Sequence, residues 1–238
     1  MRYKVHKEES VSVIGILAGD TLSPLLWTLY FSDFDIPKTA DDVELFSQLK
    51  SHLEQADDLL LLALSPEGLQ RKMNLFYDWC SFNFMSINAI KSVVSFHGIQ
   101  PEDLPSFCFA SNAVEIVLEY TYVGVSFRGG PFRADCTHII FQPHYETKAE
   151  KARSVAHGVL HVESMIGHLP AAEGRILYMG CIDPHLTYGR EIAINSSIDM
   201  ALSLARVQTD FIRRLLGLSK KVSNIALYTE TGIVPLLY

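Results

Sequence analysis

No stretch of this sequence approaches the roughly twenty consecutive apolar residues that a membrane-spanning helix needs. The first ten residues, MRYKVHKEES, are charged and lead into no apolar segment, so a secretory leader is not expected either. Cysteine is sparse: Cys80, Cys108, Cys136 and Cys181 lie far apart, with no Cys-x-x-Cys pair. Four reduced thiols, mostly buried, in an intracellular protein of cytoplasm or nucleus are the resulting expectation, with no membrane partner. There is no internal repeat and no low-complexity tract.

What is present is core-forming residue. Hydrophobic residues make up 48% of the 238 and charged ones 20%, which suits a globular chain of one large domain or two modest ones. The net charge of −7 argues at first against nucleic acid, whose binders usually carry a basic surface. That charge is unevenly spread, however. Residues 1–120 hold 8 Lys and Arg against 17 Asp and Glu, whereas 121–238 hold 12 against 10. The acidic first half suits a metal-dependent site better than a phosphate cradle, a solvated acidic face being the commoner origin of such a bias, and the second half is mildly basic.

Hydrophobic spacing divides the chain in the same way. Ser23-Pro24 reads as a helix cap followed by proline in the first turn, ahead of the apolar LLWTLYFSDF. Strands are expected near 43–46 and 49–55, then a buried central strand LLLLAL in a mostly antiparallel sheet. Ser65-Pro66 repeats the capping signal, and Leu69, Met73, Phe76 and Cys80 follow at helical spacing. A short strand SVVSF and a hairpin over 107–127 precede Arg128-Gly129-Gly130-Pro131, the best domain boundary. Beyond it, 147–166, 171–181 and 198–217 read as helices. The expected class is α+β: an antiparallel sheet with packed helices over 1–130, then a mostly helical module over 131–238.

Asp57-Asp58 poses the chemical question, because two adjacent carboxylates stand directly before six apolar residues. Like charges at the edge of a core repel and lose hydration. A divalent cation would compensate, and so would exposure on a hairpin turn. Successive strand residues face opposite sides, so one aspartate can be a direct ligand while its neighbour sits at the turn. Phosphoryl transfer with two metal ions needs carboxylates from at least two segments, so this turn is half of such a site.

The segments GILAGDTLSPLLWTLYFSDF, QADDLLLL, LQRKMNLFYDWCSFNFMSINAIKS and YTYVGVSF resemble, in this order, four palm motifs of the reverse transcriptases of non-long-terminal-repeat (LINE-type) retrotransposons. The resemblance covers roughly residues 1–127, and more loosely the FIRRLLGL and LYTETGIVPLLY segments of a thumb. It implies a partial polymerase palm followed by a thumb-like helical region, in an RNA-directed DNA polymerase of the nucleotidyltransferase class. Such an enzyme extends a DNA primer on an RNA template using dNTPs and Mg²⁺ or Mn²⁺. By resemblance Asp57 and Asp58 are metal-binding and catalytic, and Lys91 contacts or protonates the leaving pyrophosphate. Gly15, Gly19, Ser23, Pro24, Gln55 and Asn88 then lie along nucleotide and template, and Tyr122, Val123 and Gly124 form the primer grip.

Departures accompany these matches. Gln55 stands where the family usually has an aromatic residue and Ala18 where it often has glutamine. The family's upstream metal-binding aspartate and its template-holding fingers have no counterpart here, and Asp20, Asp33 and Asp35 are poor stand-ins. The expectation is a fragment truncated at its N-terminus, belonging to a longer polyprotein and inactive in isolation. The alternative is a catalytically dead relic, acting if at all as a nucleic-acid-binding or protein-interaction module. His157 and His161, four apart, lack a third metal ligand in view. Lys148, Lys151, Arg153, Arg213, Arg214, Lys220 and Lys221 are candidate phosphate contacts.

Overall fold

The computed structural model describes residues 20–98, 105–131, 139–193 and 197–237. It is a mixed α and β chain with small sheets, and it divides into two compact units. The first holds the described residues up to Ala89 together with Pro105–Ala113, and the second holds those of Ile90–Leu104 and Val114–Tyr238.

In the first unit, helix α1 spans Ser23–Phe31 with Pro24 in its first turn, the position where a missing N–H costs nothing. Ser23 is not its cap. The residue before the helix is Leu22, which makes no side-chain cap, and Asp20 takes the role instead: its carbonyl accepts from the Ser23 N–H at 3.3 Å and its Oδ1 from the Leu22 N–H at 3.4 Å. Two hairpins follow. Strands β1 (Val43–Leu45) and β2 (Gln48–Lys50) are joined through Phe46 and Ser47, both with positive φ, as a tight two-residue turn requires. Strands β3 (His52–Gln55) and β4 (Asp58–Leu61) pair antiparallel, with Gln55 opposite Asp58.

The expected central strand is therefore one half of a two-stranded hairpin, and its leucines are only half-buried. The reason is that a single aromatic cluster backs it. Phe31, Phe34 and Ile36 form the buried centre, and Leu59 and Leu61, two apart on one face, pack there with Trp27, Phe76 and Trp79. Phe76 and Trp79 come from α2 (Pro66–Phe82), which begins as its sequence predicts: the Ser65 side chain accepts from the Gly68 N–H at 3.0 Å. Strand β6 (Phe107–Phe109) docks on α2 through Gln70, whose amide donates to the Cys108 carbonyl at 2.8 Å and accepts from its N–H at 3.0 Å.

The second unit opens with β5 (Val93–Val94), which pairs in parallel with Glu115 and Ile116 of β7 (Asn112–Ile116), the strand along which the chain passes between units. This parallel pair departs from the expected antiparallel pattern. The 107–127 segment is not one hairpin: β8 (Glu119–Tyr122) and β9 (Val125–Arg128) form a separate one. Gly129 and Gly130 are buried here, their N–H groups donating to the carbonyls of Leu118 and Phe96 at 2.6 Å each.

Helices α3 (Gln142–His161), α4 (Glu163–Ile166), α5 (Ala171–Leu177), α6 (Asp183–Thr187), α7 (Ile198–Leu215) and α8 (Asn224–Thr231) complete this unit, with a π-helical turn at Tyr178–Ile182. Ala149, Ala152 and Ala156 recur at helical spacing on α3 and share one core with Leu204, Phe211, Ile212 and Leu215 of α7. Buried Gln208 ties this core together. Its amide donates to the Tyr178 hydroxyl at 2.8 Å and the Val234 carbonyl at 3.0 Å, while its oxygen accepts from the Leu236 N–H at 3.1 Å.

Candidate functional site

The tip of the β3–β4 hairpin carries the acidic pair. Ala56 takes a left-handed conformation, φ +52°, unusual for a residue with a β-carbon. The indole N–H of Trp27 donates to its carbonyl at 2.7 Å and anchors the turn on α1. Asp57 and Asp58 follow, both exposed and with no ion-pair partner among the described residues. Exposure thus resolves the electrostatic question, since neighbouring charges in water cost each other only about 1 kcal/mol.

A second Ala-Asp-Asp, at Ala40–Asp42, sets the first in relief. Asp42 and Lys72 pair at 2.6 Å with both side chains wholly buried. The Lys72 ammonium also donates to the Leu62 carbonyl, and the Asp42 carboxylate accepts from the Thr39 N–H at 3.0 Å. Burial by itself raises the Asp42 pKa, but hydrogen bonds from Lys72 and Thr39 outweigh it and hold the carboxyl below the usual range. Asp41 accepts from Ser65 at 2.9 Å and from Arg71 at 3.2 Å. The same tripeptide is thus a structural anchor at 40–42 and an open carboxylate pair at 56–58.

Asp57 and Asp58 suit Mg²⁺ or Mn²⁺ in donor chemistry, being hard, exposed carboxylate oxygens with no ion-pair partner among the described residues. They do not amount to a two-metal site. Among the described residues no group of three or more His, Cys, Asp or Glu converges to hold a metal. Asp33 accepts from the Trp79 indole at 3.2 Å, and Asp20 serves the start of α1.

The other candidate residues are distributed as follows. Gly15 and Gly19 lie outside the described residues. Ser23 is half-buried and Pro24 exposed at the start of α1, and exposed Gln55 closes the hairpin opposite Asp58. Asn88 is exposed near the end of the first unit, and Lys91 is exposed in the second. Tyr122, Val123 and Gly124 form the tip of the β8–β9 hairpin, where Val123 (φ +47°) and Gly124 (φ +74°) both turn left-handed.

That second tip has partners the sequence did not announce. The Tyr188 hydroxyl donates to the Val123 carbonyl at 2.7 Å, and the Lys148 ammonium sits 4.1 Å from the centre of the Tyr188 ring. Buried His144 bridges the same region: its Nδ1 accepts from the Ser126 N–H at 3.4 Å, and its Nε2–H donates to the Tyr188 carbonyl at 3.0 Å. Only the glycine after Tyr188 hinted at this arrangement. Gly189 has φ +79°, and a β-carbon there would stand 2.8 Å from His144 Nε2.

His157 and His161 line an open cavity of about 680 Å³ with Gly158, Glu163, Ser164 and Arg214. No third metal ligand joins them among the described residues. Comparison with known proteins finds no matching family model, no similar curated protein and no similar solved structure.

Proposed function

We propose that this chain is the palm and following helices of a non-long-terminal-repeat reverse transcriptase, the part that in an intact enzyme extends a DNA primer on an RNA template. The observation that carries the reading is the acidic hairpin. Asp57 and Asp58 stand exposed at a tight antiparallel turn, backed by aromatic residues of α1 and α2, where the resemblance puts the family's Ala-Asp-Asp turn. The two-residue turn at Val123-Gly124, where a primer grip falls by resemblance, lends further support. On this reading the Asp57-Asp58 turn supplies one arm of a two-metal site.

By itself the chain is proposed to bind nucleic acid without extending it. Mg²⁺ gives up water reluctantly and needs several converging carboxylates, and the turn offers two. Binding would come from the Lys and Arg side chains of α3 and α7. The test is a primer-extension assay on an RNA–DNA primer-template with dNTPs and Mg²⁺ or Mn²⁺, beside an Asp57→Asn variant, with binding followed by fluorescence anisotropy. The expected result is no extension by either protein. Binding should weaken at least tenfold between about 50 and about 200 mM salt, equally for both. Extension that Asp57→Asn abolishes would show that another carboxylate completes the site and that the isolated chain is an enzyme. Absence of binding even at the lower salt would overturn the nucleic-acid reading and leave a relic.

A further inference from the structure

The contacts around His144 point to a device that the acidic hairpin does not use. We propose that His144 latches strand β9 of the β8–β9 hairpin through Ser126, closed while the imidazole is neutral and released when it takes up a proton, with Tyr188 holding the hairpin tip beside it.

The geometry defines the proton positions. A backbone N–H can only donate, so the 3.4 Å contact from Ser126 requires a lone pair on His144 Nδ1. A carbonyl can only accept, so the 3.0 Å contact to Tyr188 requires a hydrogen on Nε2. The ring is therefore the neutral Nε2–H tautomer. A proton arriving from water at Nδ1 occupies the lone pair that Ser126 uses. Two donors then face each other, and β9 loses its bond to α3.

The same histidine holds the second half of the latch. Its Nε2–H fixes the Tyr188 carbonyl, and the Tyr188 hydroxyl in turn grips the Val123 carbonyl at 2.7 Å. The fit is close: a β-carbon on Gly124 would stand 3.0 Å from the Tyr188 hydroxyl, and one on Gly189 would stand 2.8 Å from Nε2. The Nε2–H bond to Tyr188 survives protonation at Nδ1, so the acid step is confined to the Ser126 side of the hairpin.

The charged groups around the ring can be assigned. Lys148, one turn further along α3, disfavours a second positive charge, and Glu191 favours it. Arg128 of β9 is engaged by Glu119 and Gln142, and Arg190 donates to the Leu236 carbonyl at 2.9 Å. Burial is the largest influence and lowers the histidine's pKa, the hydrogen bond to Tyr188 opposing it. The neutral, latched form therefore prevails at pH 7 and is lost below the ordinary histidine range.

Any effect on primer binding rests on the reverse-transcriptase reading, whereas the latch does not, and the experiment separates the two. Amide hydrogen exchange of the whole chain is followed over residues 119–128 between about pH 7.5 and about pH 5, corrected for intrinsic rates, with the His144 ring titration read by NMR. Exchange at Val125 and Ser126 is expected to speed up about tenfold on acidification, with a midpoint matching the ring titration. In His144→Asn the amide oxygen replaces Nδ1 as acceptor and cannot be protonated, so the acceleration should vanish. Tyr188→Phe should loosen the tip at every pH and keep the acid step at Ser126.

Unchanged exchange across the His144 titration in the wild type would overturn the latch, as would an equal acid step in His144→Asn. Primer-template binding, measured on the same samples, reports on the functional reading alone. Failure to bind with the acid step intact would sink that reading and leave the latch.

Discussion

Burying Lys72 beside Asp42 strips both ions of water, and their 2.6 Å pairing, the Leu62 and Asp41 carbonyls and the Thr39 N–H and hydroxyl offset that cost. Removing one partner leaves the other charged and unpaired in the core, so Lys72→Met is expected to cost about 3–5 kcal/mol in urea unfolding. Replacing both with apolar residues should cost less, since no orphan charge remains. Asp58→Asn, on an exposed turn, should stay within about 0.5 kcal/mol of wild type. The pH dependence follows from the same side chains. Asp42 is lowered from 3.8 in the folded chain, so its contribution is complete above that value and disappears as pH falls below it. Burial lowers His52, His97 and His144 from 6.5, so the unfolded chain binds protons first. Stability should therefore decline as pH drops below about 6.5, well before the carboxylate limb, and thermal unfolding across that range would show two acid steps.

At the scale of elements, α2 stands on three supports that can be removed singly. Ser65→Ala deletes its cap and should cost about 1 kcal/mol in equilibrium unfolding. Gln70→Ala releases both backbone groups of Cys108 and should free β6 to exchange its amide hydrogens without unfolding the helix. This helix was legible in the sequence because cap, proline and the apolar spacing from Leu69 to Cys80 agreed. Helices α3 and α7 were legible from amphipathic spacing alone, and α3 starts at Gln142, earlier than the 147–166 that its spacing suggests. The burial of β4 was not, since LLLLAL reads alike whether one face or both are covered, and only the aromatic cluster decides which. Asp42 was passed over because its partner lies thirty residues away and its neighbours resemble an ordinary turn. The Asp57 turn could be read, from its place between a polar strand and the apolar run that precedes a capped helix. The Tyr188 contact with Val123 could not, since sixty-five residues separate the two and no periodicity connects them.

For the whole molecule, the two units interleave along the chain rather than following it in order. The glycine pair expected at the boundary is buried in the second unit, bonded to Leu118 and Phe96. Limited proteolysis should therefore spare Gly129-Gly130. Amide exchange should group Val93, Val94 and Phe96 with the 114–130 segment, and Cys108 with α2, across the sequence gaps between them. Identical protection for 70–98 as one block would contradict this division. The interleaving also sets an order of events on the ribosome. The first unit cannot close until Cys108 has emerged to meet Gln70, yet residues 90–98 emerge before it while their partners at Glu115, Ile116 and Gly130 are still unmade. A nascent chain paused between those points carries the unpaired β5 strand and the unmet Gln70 amide at once. Slow translation through this short window is the interval in which the growing polypeptide most needs a chaperone.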